Sequence, residues 1–389
     1  MVLDMKNKTF KSKTRLIYVF VPIVFFAISV SLFVLGFLQE DIEYSDTENR
    51  RLSDFPQVSL SSVSDGRFMT AFESYLSDQF YSRNKIVSFK TDIMRFLGSS
   101  EINGVYIGKN GRLYEVQTVF DSDKLRYTVD AMNTFSGKCN IENQYFMLVP
   151  NATQIIKEDF PSFLQTEDQT GYINFIHEKL DDRINCLDVV TPLNEYEKKD
   201  ELYFLTDHHW TSQAAFCVFE YFARKENISY KKYKYETDVV TNSFSGTLNS
   251  SSGIYDNKDS ISIVFPSAVK GKFYVNNLEE KQKYTSCFDL QKLNSSNQYE
   301  VFFGGNYSRI QIVTDNLNGK NLLVIKDSYA NCFVPLLIPY FENIVMIDPR
   351  YFVDNIENVL EITEFTHLLY LYNVNTFLED SSLCEMLDN

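Results

Sequence analysis

The stretch NLLVIKDSYANCF (residues 321–333) joins a short, continuous apolar run to a polar turn that contains Ser328. Such a run, bounded by turn residues, is typical of a strand in a parallel sheet that is covered on both faces. Similar runs recur as QYFMLVP (144–150), NIVMID (343–348) and HLLYLYNV (367–374). Because segments of helical periodicity alternate with these runs, the sequence predicts an α/β fold built on a parallel sheet.

Outside these strands, the periodicity predicts helices near residues 172–180 and from Thr211 to about Lys225, and a further strand, LYFLT, at 202–206. Residues 231–309 differ, because they contain polar, alternating runs such as ISIVF and KFYV. Such alternation is the pattern of half-buried strands. We therefore predict that residues 231–309 form an inserted β-rich lobe.

The N-terminal segment predicts a membrane anchor. Residues 16–38 contain no charged side chain, and about 23 residues at ~1.5 Å each extend ~35 Å, enough to cross a ~30 Å hydrocarbon core. The run is longer than the apolar region of a cleaved signal peptide and lacks a small-residue cleavage site. Five basic residues precede it, so the positive-inside rule predicts a cytoplasmic N-terminus and an extracytoplasmic chain from residue 39 onward.

The predicted organisation is therefore sequential. Residues 1–15 form a cytoplasmic basic tail and residues 16–38 the transmembrane anchor. Residues 39–98 form an extracytoplasmic leader with amphipathic helices that break near 79–82. Residues 99–389 form the catalytic domain, which opens with the motif NGVYIGKNGRLYE; its Asn-Gly turns and flanking apolar residues predict a β-hairpin.

Charge and cysteine content exclude some functions. The formal net charge of −15 disfavours sequence-independent nucleic-acid binding, which needs clustered Lys and Arg. The six cysteines show no CxxC or zinc-like spacing, and the sequence leaves open whether they pair.

Two polar segments follow predicted strands, where open α/β sheets place their sites. One is Asp207-His208-His209, and the other contains Ser328. A nucleophilic serine needs a base, and the base needs an acid that holds its tautomer. On an extended backbone the side chains of Asp207 and His209 share one side, which favours His209 as base and leaves His208 a structural role. The N–H groups of Tyr329 and Ala330 are the predicted oxyanion donors.

Other interpretations of these residues remain open. A serine after a strand is often only a turn or cap residue. A metal site at Asp207-His208-His209 would require a third ligand with defined spacing, and adjacent histidines seldom bind one ion. We predict no metal.

The combination of ENRRLSDFP, SDQFYSRN, NGVYIGKNGRLYE, TDHHWTSQAA, FSGTLNSSSG, VIKDSYANCFVPLLIPYF, IDPRYF and LYNVNTF, in this order, resembles the bacterial DHHW proteins. These are similar to the SGNH-hydrolase-like domains of alginate O-acetylation proteins. The resemblance implies a flavodoxin-like parallel sheet flanked by helices, with the Asp-x-His block preceding the serine block. The serine block reads Lys-Asp-Ser-Tyr here, in place of the Gly-Asp-Ser of ordinary SGNH esterases.

By position, the resemblance identifies Asp207, His209 and Ser328 as the triad. It implies that Arg350 and Tyr329 contact the acyl group or a glycan and that Asn373 lines the site.

The implied activity is O-acetyl transfer to a cell-wall or secreted polysaccharide through an acetyl-enzyme. A multi-spanning membrane-bound O-acyltransferase would supply the acyl group, and no cofactor is expected. A carbohydrate esterase with the same triad and a non-catalytic polysaccharide-binding or assembly subunit remain alternatives. The acceptor, the donor, the oligomeric state and the disulfide pairing are left undetermined.

Overall fold

The computed structural model describes residues 2–45, 50–117, 121–161, 164, 166–225, 230–269 and 271–388. The chain divides into two compact units, Met1–Ile93 and Met94–Asn389. The side chains of residues 2–17, which include the basic residues used to predict orientation, lie outside this description. So do residues 46–49, which include the start of the motif ENRRLSDFP.

The N-terminal elements are mostly helical. They are α1 (Val2–Leu38), β1 (Tyr44–Ser45), β2 (Arg50–Arg51), α2 (Leu60–Ser64), α3 (Arg67–Asp78) and α4 (Arg83–Phe96). The predicted helical periodicity, which allowed one or two helices, corresponds to two helices with the break between α3 and α4. The backbone turns there at Ser82, which has a φ of 53°.

Among the residues whose side chains are described, the apolar part of α1 is Tyr18–Leu38, with a mean hydropathy of 2.6 and no fully buried residue. Its 21 residues extend about 32 Å, close to the ~30 Å thickness of a hydrocarbon core. The helix is thus long and apolar enough for a single membrane span or a signal anchor.

The second unit alternates strands and helices. Its elements are β3 (Glu101–Ile102), β4 (Val105–Ile107), β5 (Leu113–Glu115), α5 (Ser122–Lys138), β6 (Asn143–Val149), α6 (Ala152–Ile155), α7 (Gln169–His177), β7 (Ile184–Cys186), α8 (Val190–Glu195), α9 (Ser212–Lys225), β8 (Tyr235–Phe244), α10 (Thr247–Ser252), β9 (Asp259–Pro266), β10 (Phe273–Asn277), β11 (Gln282–Tyr284), β12 (Arg309–Thr314), β13 (Asn321–Lys326), α11 (Ala330–Phe333), β14 (Asn343–Ile347), α12 (Ile356–Ile362), β15 (His367–Asn373), α13 (Val374–Glu379) and α14 (Ser382–Asp388). The strands predicted at 144–150, 322–326, 343–348 and 367–374 are confirmed as β6, β13, β14 and β15. The helix predicted near 172–180 begins a turn earlier, as α7.

An eight-stranded sheet forms the centre of this unit, in the order β11-β10-β12-β14-β13-β15-β6-β7. The five strands from β14 to β7 are parallel, and the pairings of β14 with β12, β12 with β10 and β10 with β11 are antiparallel. In β13, Leu322 and Val324 enter the hydrophobic core on one face, and Leu323 and Ile325 enter the core on the other. The apolar run is continuous because both faces of the sheet are covered.

The segment 231–309 contributes to two sheets. Its strands β8 and β9 pair with each other, whereas β10 and β11 extend the central sheet beyond β12. The segment is β-rich, as its alternation predicted. Its description as an inserted lobe remains a prediction.

A small sheet, β3-β4-β5, opens the second unit and contains the predicted hairpin. Both of its turns use an Asn-Gly pair with positive φ, 50° and 78° at Asn103 and Gly104, and 57° and 75° at Asn110 and Gly111. Glycine and asparagine adopt this left-handed region more readily than other residues, so both turns follow directly from the sequence.

Candidate active site

Ser328 lies two residues beyond the end of β13, at the carboxyl edge of the parallel strands. The register pairs Lys326 with Leu371 of β15, so continuing it by two residues brings Asn373 level with Ser328. On the other side, continuing the pairing of Ile325 with Ile347 of β14 by three residues brings Arg350 to the same level. The chain segments that leave three neighbouring strands therefore carry Arg350, Ser328 and Asn373 at the same edge of the sheet.

The two histidines lie on a tight hairpin. The prediction of a strand at residues 202–206 is therefore wrong. Tyr203 and Trp210 form a single antiparallel bridge, and Thr211 N donates to Leu202 O at 2.9 Å. The carboxylate of Asp259 accepts from the N–H groups of Leu205 and Thr206, both at 2.8 Å, and this curls the backbone between the two arms. The apolar side chains of this segment are buried by packing and not by sheet pairing.

The predicted helix from Thr211 to Lys225 is confirmed as α9. The hydroxyl of Thr211 accepts from Ala214 N at 3.3 Å, which is the geometry of an N-terminal cap.

Two hydrogen bonds join the hairpin to the turn that contains Ser328. The indole Nε1 of Trp210 donates to Tyr329 O at 2.9 Å, and the hydroxyl of Tyr329 donates to His208 O. Both side chains are fully buried. The two segments, far apart in sequence, are therefore held as one unit.

Asp207, His209 and Ser328 form one hydrogen-bonded chain. His209 Nδ1 lies 2.5 Å from Asp207 Oδ1, and His209 Nε2 lies 2.7 Å from Ser328 Oγ. A carboxylate only accepts hydrogen bonds, so we assign the proton of the neutral ring to Nδ1. Nε2 then carries a lone pair and accepts from the hydroxyl of Ser328. This is the arrangement that a general base needs to activate a serine.

Electrostatics favour the same protonation states. Burial, reinforced by the nearby charge of His208, lowers the pKa of His209 to about 4, so the ring is neutral at neutral pH. Although burial raises the pKa of Asp207, the two histidines and the hydrogen bonds from His209 and Thr247 outweigh it and hold that pKa below its ordinary value. An ionised aspartate next to a neutral imidazole follows.

Thr247 completes the coordination of Asp207. Its N–H and hydroxyl donate to Asp207 Oδ2 at 2.8 Å and 3.0 Å. Asp207 Oδ1 also accepts from His209 N at 2.9 Å, so four donors satisfy the carboxylate. This approach requires a glycine at position 246, because a Cβ there would lie 2.3 Å from the Cβ of Asp207.

Two aromatic rings enclose the imidazole of His209. The ring of Tyr299 stacks on it with centroids 3.7 Å apart and an interplanar angle of 12°. The half-exposed ring of His208 lies on it at 3.9 Å. His208 Nδ1 lies 2.8 Å from the hydroxyl of Thr247, and because that hydroxyl donates to Asp207, His208 must donate here. His208 is thus held next to the chain from Asp207 to Ser328 and outside it.

The prediction that the N–H groups of Tyr329 and Ala330 are the oxyanion donors is wrong, because both already donate hydrogen bonds. Tyr329 N donates to the carboxylate of Asp327 at 2.9 Å, and Ala330 N donates to Asp327 O at 3.3 Å. Asp327 therefore occupies both N–H groups, and the buried side chain of Tyr329 supports the histidine hairpin and has no exposed edge for substrate. Ser328 N, in contrast, has no hydrogen-bond partner among the described residues.

Hydrogen bonds with Asn375 and Asp327 hold Asn373 in place. Its Oδ1 accepts from Asn375 N at 2.9 Å, where it caps α13, and its backbone N–H donates to Asp327 at 2.8 Å. The amide nitrogen Nδ2 makes only a long contact of 3.4 Å to Val149 O. Its donor capacity is thus largely unused, next to Ser328.

A buried charge network lies beneath Arg350. Asp348 accepts from Arg350 Nε at 2.8 Å and Nη2 at 2.6 Å, and from Lys326 Nζ at 3.2 Å. Lys326 also donates to Asn306 and Asn331, both at 3.0 Å, so its three N–H bonds are all used. Although burial lowers it, the hydrogen bond and charge of Asp348 raise the pKa of Arg350. Among the described residues, Arg350 Nη1 has no hydrogen-bond partner.

Asp207, His208 and His209 also have the composition of a metal site, with one ligand atom each within 4.8 Å of the others. Their hydrogen bonds argue against that use. The carboxylate oxygens accept from four donors, and both ring nitrogens of His209 are engaged. A metal ion would have to displace most of these bonds.

Sequence reasoning missed Thr247, Tyr299, Asp327 and Asp348. The glycine of the motif FSGTLNSSSG and the aspartate of KDSYA were visible signals for the first and third of these residues. No local pattern marks Tyr299, whose ring reaches His209 through the fold alone.

A model of the DHHW protein family matches residues 98–347. Solved structures with a similar fold include a DHHW family protein from Eubacterium siraeum, with 24% identity and a TM-score of 0.63 over 74% of this chain and 96% of that chain. They also include PatB1 from Bacillus cereus with a sulfonyl adduct, with 19% identity and a TM-score of 0.58 over 71% of this chain and 97% of that chain. Among curated proteins, no match to this sequence was found. Since the family model covers well over half of the chain, the resemblance seen in the motifs is confirmed, and the protein belongs to the DHHW family.

Proposed function

We propose that this chain is a membrane-anchored O-acetyltransferase that transfers an acetyl group to a cell-wall or secreted polysaccharide. The hydrogen-bonded chain from Asp207 through His209 to Ser328 carries the proposal. It joins a nucleophile, a neutral base and an ionised acid at the edge of three strands, where a substrate carbonyl can approach. We further infer that the fold is a permuted SGNH arrangement, since the Asp-x-His block precedes the serine block.

In the first half-reaction, Ser328 Oγ attacks the carbonyl carbon of the acyl donor, and its proton passes to His209 Nε2. Asp207 stabilises the imidazolium that forms. The tetrahedral oxyanion needs hydrogen-bond donors, and two donors at this edge are candidates: Ser328 N, without a partner among the described residues, and Asn373 Nδ2, which has only a long contact. When the carbonyl reforms, the leaving group takes the proton from His209, and an acetyl-serine remains.

In the second half-reaction, a sugar hydroxyl replaces the leaving group. His209 Nε2 removes its proton as the oxygen attacks the acetyl carbon, and Ser328 departs and recovers the proton. Arg350, at the level of Ser328 and with Nη1 unoccupied among the described residues, would contact the acyl group or the glycan.

The N-terminal helix supports an assignment to the cell membrane. We propose that Tyr18–Leu38 is an uncleaved span with a cytoplasmic N-terminus, because basic residues precede it in the sequence. The second unit then lies outside the cell, where acetyl-CoA is absent. A multi-spanning membrane-bound O-acyltransferase is the proposed partner that brings the acyl group across the bilayer.

The test compares the full-length wild type with Ser328→Ala and with a matched exposed control, Ser243→Ala. Each protein is incubated with an activated acetyl ester and a panel of oligosaccharides, and acetylated sugar is measured by mass spectrometry. In parallel, a fluorophosphonate or a sulfonyl fluoride probes Ser328, a choice that follows the sulfonyl adduct of PatB1. We expect transfer and labelling in the wild type and the control, and a loss of at least ~10⁴-fold in Ser328→Ala.

Two other outcomes would replace the proposal. If the ester is hydrolysed and no oligosaccharide in the panel becomes acetylated, the protein is an esterase with the same triad. Absence of labelling at Ser328, together with measurable glycan binding, would indicate a non-catalytic polysaccharide-binding subunit.

A further inference from the structure

The end of α3 packs against the last turns of the apolar helix α1. Leu32, Phe33, Gly36 and Phe37 of α1 line one groove with Tyr75, Leu76, Gln79 and Phe80. The helices approach closely at Gly36, since a Cβ there would be 3.7 Å from Gln79 O and 3.8 Å from Tyr81 N. The corner between α3 and α4 therefore touches α1 two residues before its apolar run ends.

Hydrogen bonds fix this contact. Gln39 Nε2 donates to Gln79 O at 2.6 Å, and Ile42 N donates to Gln79 Oε1 at 2.9 Å. Gln79 Nε2 returns a bond to Ile42 O at 3.0 Å. The side chain of Gln79 thus holds the chain that leaves α1 against the end of α3.

The length of α1 sets the depth of this contact. The uncharged run 16–38 extends ~35 Å, which exceeds a ~30 Å hydrocarbon core by only about one helical turn. If α1 spans the bilayer, the turns from Leu32 to Phe37 lie inside the hydrocarbon. The α3–α4 corner contacts α1 at Gly36 and Gln39, within about 3 Å of the end of the apolar run, so it must then lie at the outer boundary of the hydrocarbon.

Helix α4 starts at this corner and exposes an apolar stripe. Ile86, Phe89 and Ile93 are 42%, 66% and 43% exposed. At 3.6 residues per turn, the three side chains fall within an arc of about 60°. Lys85 and Lys90 lie about 40° beyond the two edges of that arc. An exposed apolar stripe between two lysines is the pattern of a helix that lies in a membrane interface.

We propose that α4 from Lys85 to Ile93 lies in the outer interface of the bilayer that α1 spans. Ile86, Phe89 and Ile93 enter the acyl-chain boundary, and Lys85 and Lys90 extend along them to the lipid phosphates. The partner is the lipid surface itself. The proposal rests on α1 spanning a membrane and is independent of the acyl-transfer chemistry.

The test uses the full chain in vesicles of phosphatidylcholine with a minority of phosphatidylglycerol. The single native Trp210 is fully buried and gives a constant background. Phe89→Trp and Ile86→Trp place a fluorophore in the stripe, and Asp92→Trp places one outside it on the same helix. In vesicles whose lipids carry bromine on the acyl chains, we expect most of the emission added by the stripe variants to be quenched and that of Asp92→Trp to persist.

A second comparison tests the lysines. Adding Lys85→Glu and Lys90→Glu to Phe89→Trp should reduce the quenching when phosphatidylglycerol is present. Equal quenching of Phe89→Trp and Asp92→Trp would overturn the proposal, as would failure of the wild type to float with the vesicles. Far-UV circular dichroism verifies that each exposed substitution leaves the fold intact, and labelling of Ser328 in the same samples reports on the acyl-transfer proposal separately.

Discussion

The close packing of Gly246 against Asp207 makes Gly246→Ala the most informative single substitution. The added Cβ would lie 2.3 Å from Asp207 Cβ, 2.6 Å from Thr206 O and 2.7 Å from Asp207 Cα. Non-bonded carbons rest about 3.5–4.0 Å apart, so the backbone must separate by about 1 Å or more. Gly246 has a φ of −84°, which alanine adopts freely, so the effect comes from contact alone.

That displacement reaches the active site directly. Thr247 N donates to Asp207 Oδ2 at 2.8 Å, and a shift of about 1 Å would break this bond and move the carboxylate that holds His209. A misplacement of ~1 Å in a catalytic group costs about 100-fold in rate. Overpacking typically costs about 1–3 kcal/mol of stability. We therefore expect a folded but less stable protein with activity reduced about 100-fold.

Turnover of an activated acetyl ester, the rate of fluorophosphonate labelling at Ser328 and thermal unfolding measure these effects. Gly137→Ala is the matched control, because its Cβ would meet only the flexible end of Arg183, with the nearest atom at 3.2 Å, and it lies in helix α5. The control should keep full activity, and its free energy of unfolding should rise by up to ~1 kcal/mol. A folded Gly246→Ala protein with activity near that of the wild type would refute the role assigned to this contact.

Four further predictions concern charges. Because the pKa of His209 is lowered to about 4, the acid limb of the pH–activity profile should fall near pH 4; a midpoint at its ordinary value of 6.5 would contradict the assigned environment. Folded His209 binds its proton less tightly than the unfolded chain does, so its contribution to stability should be lost as pH falls below about 6.5, as pH-dependent denaturation would measure. His208→Asn removes a neighbouring charge that lowers this pKa and should move the acid limb to higher pH. Lys326→Met removes one buried partner of Asp348 and should lower the free energy of unfolding, measured with denaturant, by about 3–5 kcal/mol. The exposed control Lys320→Met should change it little.

The central sheet could be predicted because its signal is local. Every residue from Leu322 to Ile325 is buried, with alternate side chains in opposite cores, and the sequence shows this directly as a continuous apolar run. The same signal failed at residues 202–206. Leu202, Tyr203 and Phe204 are buried as completely as a central strand, but they form one arm of a tight hairpin, and burial alone does not distinguish the two arrangements.

The sequence predicted which residue types meet at the site but only part of how they are arranged. The residue types at Asp207, His209 and Ser328 led to the expectation that the three side chains meet, and the structure joins them in one hydrogen-bonded chain. The alignment of Arg350 and Asn373 with Ser328 depends on strand register, which no local pattern specifies. The oxyanion donors were assigned wrongly because Asp327, directly before the serine, binds the N–H groups that follow it.

The reason for preferring His209 over His208 also changes with the structure. The sequence argument relied on an extended strand, in which side chains two residues apart share a side. In the hairpin, Asp207 Oδ1 instead accepts from both the backbone N–H and the ring Nδ1 of His209, an Asx turn that binds the residue two positions later. A single oxygen thus fixes the backbone of His209 and the tautomer of its ring together. His208, one position earlier, has no access to this geometry, so the same turn that shapes the hairpin determines which of the two histidines faces Ser328.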